Sequence, residues 1–188
     1  NPSIVAPVNY NKHVTFLPFN DAEAVRQHDM TDVCAIIVEG IQGVGGIQVA
    51  SEEFLRAIRQ KCDESNATFI LDSVQCGYGR SGKFFSNQHY TDLHADLYTT
   101  AKGMGNGFPI ARVLISPKFQ AKYGMLGTTF GGNHLACAAG IAVLDIMKDE
   151  NLMANAVEIG DYLMKGIAEI GGYKELRGRG LMIGIEYD

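Results

Sequence analysis

The sequence predicts an α/β fold with a mostly parallel sheet, and three observations lead to it. Short apolar runs recur along the chain, helical patterns fall between them, and two of the runs end in a polar residue close to a glycine-rich turn. Runs that are continuously apolar, rather than alternating, mark strands covered on both faces.

The strand runs are "AIIVEG" (35–40), "FILDSV" (69–74), "LYTTA" (97–101) and "VLISP" (113–117). Between the first two, "SEEFLRAIRQKCDESN" opens with Ser51 as N-cap and Glu52 and Glu53 in the first turn, where carboxylates favour the helix dipole. Phe54, Leu55, Ile58 and Cys62 then fall on one face, as in the crossover helix of a β-α-β unit. A second helix is expected through "LACAAGIAVLDIMKD". A third is expected in "NLMANAVEIGDYLMKGIAEI", with Leu152, Ala156, Ile159, Leu163 and Ile167 at helical spacing. "RGRGLMIGIEYD" reads as a last strand that lacks a following partner, which leads to the expectation of a chain cut from something longer. The boundary between a larger α/β part, residues 1–148, and the start of a smaller domain, 149–188, is expected at "MKDEN".

At 188 residues and 46% hydrophobic, the chain can bury a substantial core. A formal net charge of -5 without a basic block argues against nucleic acid or an anionic membrane as main partner. No apolar run is long enough to span a bilayer, and "NPSIVAPVNYNKHV" lacks the layout of a signal peptide, so a cytoplasmic location is expected. Cys34, Cys62, Cys76 and Cys137 are irregularly spaced and read as four buried thiols. His89 and His94 do not share a helical face, and no metal site is expected.

The chemistry gathers at strand ends. Lys102 follows a strand and precedes a turn with glycines at 103, 105 and 107. Burial there would disfavour an ammonium and make the amine a nucleophile toward a carbonyl; the alternative is a solvated lysine. Asp72 ends an apolar strand, where a carboxylate needs a cationic partner or else serves as a turn cap. If the carbonyl compound is pyridoxal phosphate, its protonated ring nitrogen is that cation, Val74 packs on the ring and Gln75 reaches the phenolic oxygen. Thr128 and Thr129 precede a Gly-Gly-Asn turn into a helix, which suits a phosphate or carboxylate or is simply a turn. Arg177 and Arg179 alternate with Gly178 and Gly180, and one guanidinium could grip a carboxylate in bidentate fashion.

"VEGIQGVGG", "ILDSVQCGYGRSGKFF", "TTAKGMGNGFPI", "GTTFGGNHLACAAG" and "RGRGLMIGIE", in this order, resemble the class III pyridoxal-phosphate aminotransferases, in particular those acting on acetylornithine and succinylornithine. The resemblance implies fold type I of pyridoxal-phosphate enzymes, with part of the large domain and the start of the small one. It implies Lys102 as the Schiff-base lysine and proton carrier, and Asp72 as the pyridine partner. Asp72, Ser73, Val74 and Gln75 would line the cofactor, with Thr129 on the cofactor phosphate of the neighbouring subunit in a homodimer. Thr128, Arg177 and Glu39 become substrate-binding positions, with Arg177 receiving an α-carboxylate. The implied reaction moves an amino group from an ω-amino donor such as acetylornithine, succinylornithine or ornithine to 2-oxoglutarate, in arginine metabolism.

Family members usually carry a proline after the first acid and a second glutamate five residues on. Here Gly40 follows Glu39, and Val44 holds the later position. That glutamate neutralises the substrate arginine, so Arg177 is expected to be unpaired. Ser73 stands in place of the usual glutamate after Asp72, on the opposite strand face. The family runs to roughly twice this length, well above one typical domain, so the chain alone is expected to hold the cofactor poorly and not to turn over. Two rivals are weighed. "GYGRSGKF" (77–84) fits the spacing of a phosphate-binding P-loop but has Phe84 where a magnesium-binding hydroxyl belongs. The other rival is a catalytically silent interaction or dimerisation module.

Overall fold

The computed structural model describes residues 11–188. Of the N-terminal stretch read for a leader layout, residues 1–10 lie outside the described part. After a short helix α1 (Ala22–Gln27), capped by Asp21, the chain runs β1 (Ala35–Glu39), α2 (Glu52–Ser65) and β2 (Thr68–Asp72). It continues through β3 (Leu97–Thr100), β4 (Arg112–Ile115), α3 (His134–Asp149), α4 (Leu152–Ile170), β5 (Glu175–Arg179) and β6 (Met182–Glu186). The sheet order is β1-β2-β3-β4; the first two pairings are parallel and the last antiparallel. The mostly parallel α/β sheet expected from the apolar runs is therefore present.

Helix α2 forms where the pattern places it. Ser51 caps it, its Oγ accepting from the Phe54 N–H at 3.2 Å, and Asn66 ends it in the left-handed conformation that asparagine tolerates. Phe54, Leu55, Ile58 and Cys62 are all buried against Phe69 and Leu71 of β2, joined by Val25 of α1. Register sets the two faces of the sheet. Phe69 and Leu71 point into this core, whereas Ile70 and Asp72 share the other face with Ile37, Leu97, Thr99 and Val113. That second face is bare among the described residues: Ile37, Val113 and Ile115 are about half exposed or more.

At the N-terminal end of the sheet, Asp96 is buried and accepts from the Phe69 N–H at 2.8 Å, with Arg59 at 3.1 Å and Lys118 at 3.7 Å. Burial alone would push its carboxyl up; the Phe69 N–H and the Arg59 guanidinium outweigh this and hold it below the ordinary range.

Several expectations need correction. The last strand does not lack a partner: the tail is not one strand but two, β5 and β6, which form an antiparallel hairpin that turns at Gly180 and Leu181. Helix α4 buries Ala156 and Gly160, while Ile159 and Leu163 are about 40% exposed. The stripe rotates because Gly160 lets the helix approach the Gly180 backbone at the hairpin turn, where a Cβ would collide. Of the four cysteines, all free thiols, Cys62 and Cys76 are buried and Cys34 and Cys137 exposed.

Two outcomes are expected. Gly160→Ala destabilises the protein by about 1–3 kcal/mol in denaturant titration, since its Cβ meets backbone that cannot yield like a side chain. Asp96→Asn destabilises near neutral pH and has little effect at the most acid pH reached. A carboxyl held low in the folded state contributes stability above its unfolded pKa and loses it as pH falls through the folded one.

Candidate active site

The C-terminal ends of β1, β2 and β3 lie side by side, with Glu39, Asp72 and Thr99 adjacent in register. In open parallel sheets this edge is where ligands bind. Asp72 is half-buried; its Oδ1 accepts from the Val74 N–H at 2.9 Å, capping the turn that leaves β2. Among the described residues no lysine, arginine or histidine pairs with it. Beside it the buried Thr99 Oγ1 also lacks a hydrogen-bond partner. A half-buried carboxylate without a cation fits a protonated ring nitrogen.

Two residues beyond β3, Lys102 opens a single 3-10 turn, Lys102–Met104. A cavity of about 330 Å³ there is lined by Lys102, Gly103, Val74, Gln75, Gly77, Tyr78, Arg80 and Ile47, and by Leu181, Met182 and Ile183 of the hairpin. Lys102 is exposed, so the described residues do not supply the desolvation that the sequence suggests.

The backbone marks this cavity out. Among the described residues, eight that are not glycine have positive φ, and five of these are asparagine or aspartate, the types that tolerate it. The other three are Ile47 (φ 58°), Tyr78 (φ 53°) and Lys102 (φ 45°), and all three line the cavity. Such conformations cost of order 1–3 kcal/mol each and persist only where the surroundings fix them. Arg177 Nε donates to the Gly46 carbonyl at 2.7 Å, and Gly184 of β6 lets the hairpin backbone lie against Ile47. The Tyr78 N–H donates to the Phe84 carbonyl at 2.9 Å, and its ring lies between Phe84 and the Arg112 guanidinium. Burial pushes the Tyr78 phenol up, with Arg112 acting against it, and its hydroxyl has no hydrogen-bond partner. A second cavity, about 320 Å³ and walled by Phe85, Tyr98 and Leu114, has neither a lysine nor a strained residue in its lining.

The structure thus brings Lys102, Val74 and Gln75 together in one cavity lining, whereas Asp72, two residues before Val74 at the end of β2, is not part of that lining. Ser73 turns away and is buried, with an unpartnered Oγ. Glu39 Oε2 accepts from the Gly43 N–H at 3.1 Å, shaping the loop after β1. Thr128 and Thr129 lie on an exposed loop outside the cavity lining; Thr128 Oγ1 caps the Gly131 N–H at 3.2 Å. Arg177 is not unpaired as expected. Its Nη1 meets Glu175 and Glu186, each at 2.7 Å, and Glu186 also holds Lys174 at 2.8 Å. The Glu186 hydrogen bond raises the Arg177 guanidinium, while Lys174 and then Arg177 hold the Glu186 carboxyl down. The P-loop reading fails on geometry: Lys83 is exposed, and a 3-10 turn, Ser86–His89, follows instead of a helix N-terminus. Sequence reasoning missed Ile47 and Tyr78; their signal is an adjoining glycine, Gly46 and the pair Gly77 and Gly79.

A class of protein follows from this parallel sheet, lysine turn and unpaired strand-end carboxylate. The family model for class III aminotransferases matches residues 3–188, and the chain belongs to that family, whose members depend on pyridoxal phosphate. Among curated relatives, acetylornithine aminotransferase of Caldanaerobacter subterraneus is 44% identical over 178 residues, 92% of this chain and 45% of the relative. Ornithine aminotransferase 2 of Staphylococcus aureus is 43% identical over 173 residues, 89% of this chain and 43% of the relative. Among solved structures, N-acetylornithine aminotransferase from Stenotrophomonas maltophilia aligns with TM-score 0.81 and 35% identity, covering 93% of this chain and 47% of that one. Ornithine aminotransferase from Toxoplasma gondii, seen with partial occupancy of pyridoxal phosphate at its active site, aligns with TM-score 0.83 and 32% identity, covering 95% and 45%. The chain spans about half the length of the relatives it matches.

The strain has a measurable consequence. Lys102→Gly is expected to be more stable than Lys102→Ala by about 1 kcal/mol in denaturant titration, because only glycine occupies φ 45° without penalty.

Proposed function

We propose that this chain is part of an aminotransferase that moves an amino group between N-acetylornithine, succinylornithine or ornithine and 2-oxoglutarate, in arginine metabolism. The observation that carries the reading is Lys102, held at positive φ on the wall of a cavity it shares with Val74 and Gln75, with the Val74 N–H bonded to the strand-end Asp72. The names of the relatives support the choice of ω-amino donor.

The residues fit pyridoxal phosphate. Lys102 would hold it covalently, Val74 would pack on its ring, Gln75 would reach its phenolic oxygen and Asp72 would pair with its ring nitrogen. When bound, the cofactor supplies a carbonyl for the amine and a ring that takes up electron density. Lys102 Nζ, at the cavity wall, would be the group that takes up a proton from the substrate carbon and gives it back. Asp72, in register between Glu39 and Thr99, would favour a positive charge on the ring nitrogen. Arg177, Glu39 and Thr128 are the proposed substrate contacts, Arg177 taking a carboxylate.

Thr129, on its exposed loop, is proposed to serve the cofactor phosphate of a second copy in a homodimer. Residues 149–188 are proposed as the start of a smaller domain. A cytoplasmic location belongs to the same proposal: the four cysteines are free thiols, and no helix among the described residues is long and apolar enough to cross a membrane. We also infer that the 188 residues alone do not turn over. One face of the sheet is bare and the cavity stands open at Lys102, so water would reach the reacting atoms.

The full-length gene product is expected to absorb in the near ultraviolet to violet. After borohydride reduction it should carry the cofactor mass on the peptide containing Lys102, and Lys102→Ala should carry none. A label on another lysine, or an unlabelled protein, sinks the reading.

A further inference from the structure

Ile47 is the cavity residue that local chemistry explains least. A β-branched side chain at φ 58° is strained, although the chain has glycine at both preceding positions, Gly45 and Gly46. A third glycine would make the same turn without that cost, so the strain is accepted in order to keep a side chain at this point. Several contacts hold it there. The loop is closed by the Ile41–Val49 bridge and by the Gln42 N–H on the Gln48 carbonyl at 2.9 Å. Arg177 Nε donates to the Gly46 carbonyl at 2.7 Å. Gly184 of β6 lies so close that a Cβ on it would stand 2.9 Å from the Ile47 Cβ. The side chain is half-buried against the cluster of Ile41, Cys76 and Met182, and it lines the Lys102 cavity.

The lining of that cavity divides by chemistry. Ile47, Val74, Leu181, Met182 and Ile183 are aliphatic, Lys102 and Arg80 are cations, and no carboxylate takes part. Val74 would pack on the cofactor ring, which leaves Ile47 and the hairpin as the free aliphatic surface. Arg80 is exposed, and among the described residues its guanidinium has no ion pair. Its carbonyl accepts from the Leu181 N–H at 3.0 Å, so the cation and the aliphatic wall are joined through the backbone. A molecule that satisfies such a lining has a hydrocarbon stem and a negatively charged end.

We propose that Ile47 is a specificity-determining residue: with Leu181, Met182 and Ile183 it forms the wall for the aliphatic stem of a substrate carboxylate whose charged end meets Arg80. This deepens the aminotransferase reading and rests on it, naming straight-chain aliphatic carboxylates as the substrate class of the cavity. Arg177, through the Gly46 carbonyl, and Gly184, through its missing side chain, are positioning residues for Ile47.

The test is calorimetric titration of the full-length holoprotein with unreactive probes, the straight-chain monocarboxylates from propionate to hexanoate, alongside borohydride labelling of each sample. Wild-type affinity should rise about fourfold per added methylene, the scale of one buried CH₂. Ile47→Gly should cut that step to about twofold or less, since one side of the wall is gone. It should nevertheless unfold at a higher denaturant concentration than Ile47→Ala, because glycine relieves the strain. Ile47→Val should keep the wild-type step. Arg80→Met should weaken every probe by about fivefold, the scale of an open ion pair, and leave the step per methylene unchanged. A wild-type affinity that does not depend on chain length overturns the proposal, as does an unchanged step in Ile47→Gly. Unchanged binding in Arg80→Met overturns the assignment of the charged end. Should Lys102 remain unlabelled in the wild-type protein, the aminotransferase reading itself fails; a labelled Lys102 with a flat series of affinities overturns this inference alone.

Discussion

Three residues held at positive φ shape the site, and the rest of the structure can be understood as what holds them there. An isoleucine, a tyrosine and a lysine adopt a conformation that disfavours side chains with a Cβ. Each is fixed by an element of different origin: the hairpin presses on the Ile47 loop, the Phe84 carbonyl and a stack of rings fix Tyr78, and the end of β3 dictates the turn at Lys102. Strain of this kind is retained where position matters more than stability. The consequence is a cavity whose lysine projects from a 3-10 turn at the end of β3.

The parallel sheet contributes a second constraint. Register places Glu39, Asp72 and Thr99 in one row at its C-terminal edge, while the alternate residues Val38 and Leu71 pack toward α2. Asp72 therefore cannot turn into the core, and its charge stays available at the edge with only the Val74 amide to satisfy it. On the other side of the cavity the hairpin has two uses. Leu181, Met182 and Ile183 wall the space, and Glu175 and Glu186 neutralise an arginine that would otherwise be a half-buried bare charge. Solved aminotransferases of roughly twice this length share the architecture at TM-scores near 0.8, so these local devices operate inside a fold that many sequences support.

Much of this was legible in the residues because local signals and tertiary packing agree there. The four strands announce themselves as unbroken apolar runs, and α2 by its cap and one-sided apolar face; Lys102 and Asp72 stand out as charges at strand ends. The failures come where a distant contact decides. Nothing near Ile159 says that Gly160 will rotate the buried stripe toward the hairpin turn. A β-branched residue and an aromatic are types that favour strands, so Ile47 and Tyr78 gave no hint of positive φ beyond the glycines next to them. The pairing of Arg177 was missed because its partners come from β5 and β6, and the tail was read as one strand.

The most direct test of the central claim is a crystal structure of the full-length protein grown with pyridoxal phosphate. The ring should lie in the cavity over Val74, joined to Lys102 Nζ, with Asp72 on the ring nitrogen and φ still positive at Ile47, Tyr78 and Lys102. A cofactor bound elsewhere, or a filled cavity in which those three residues have relaxed to negative φ, would contradict it.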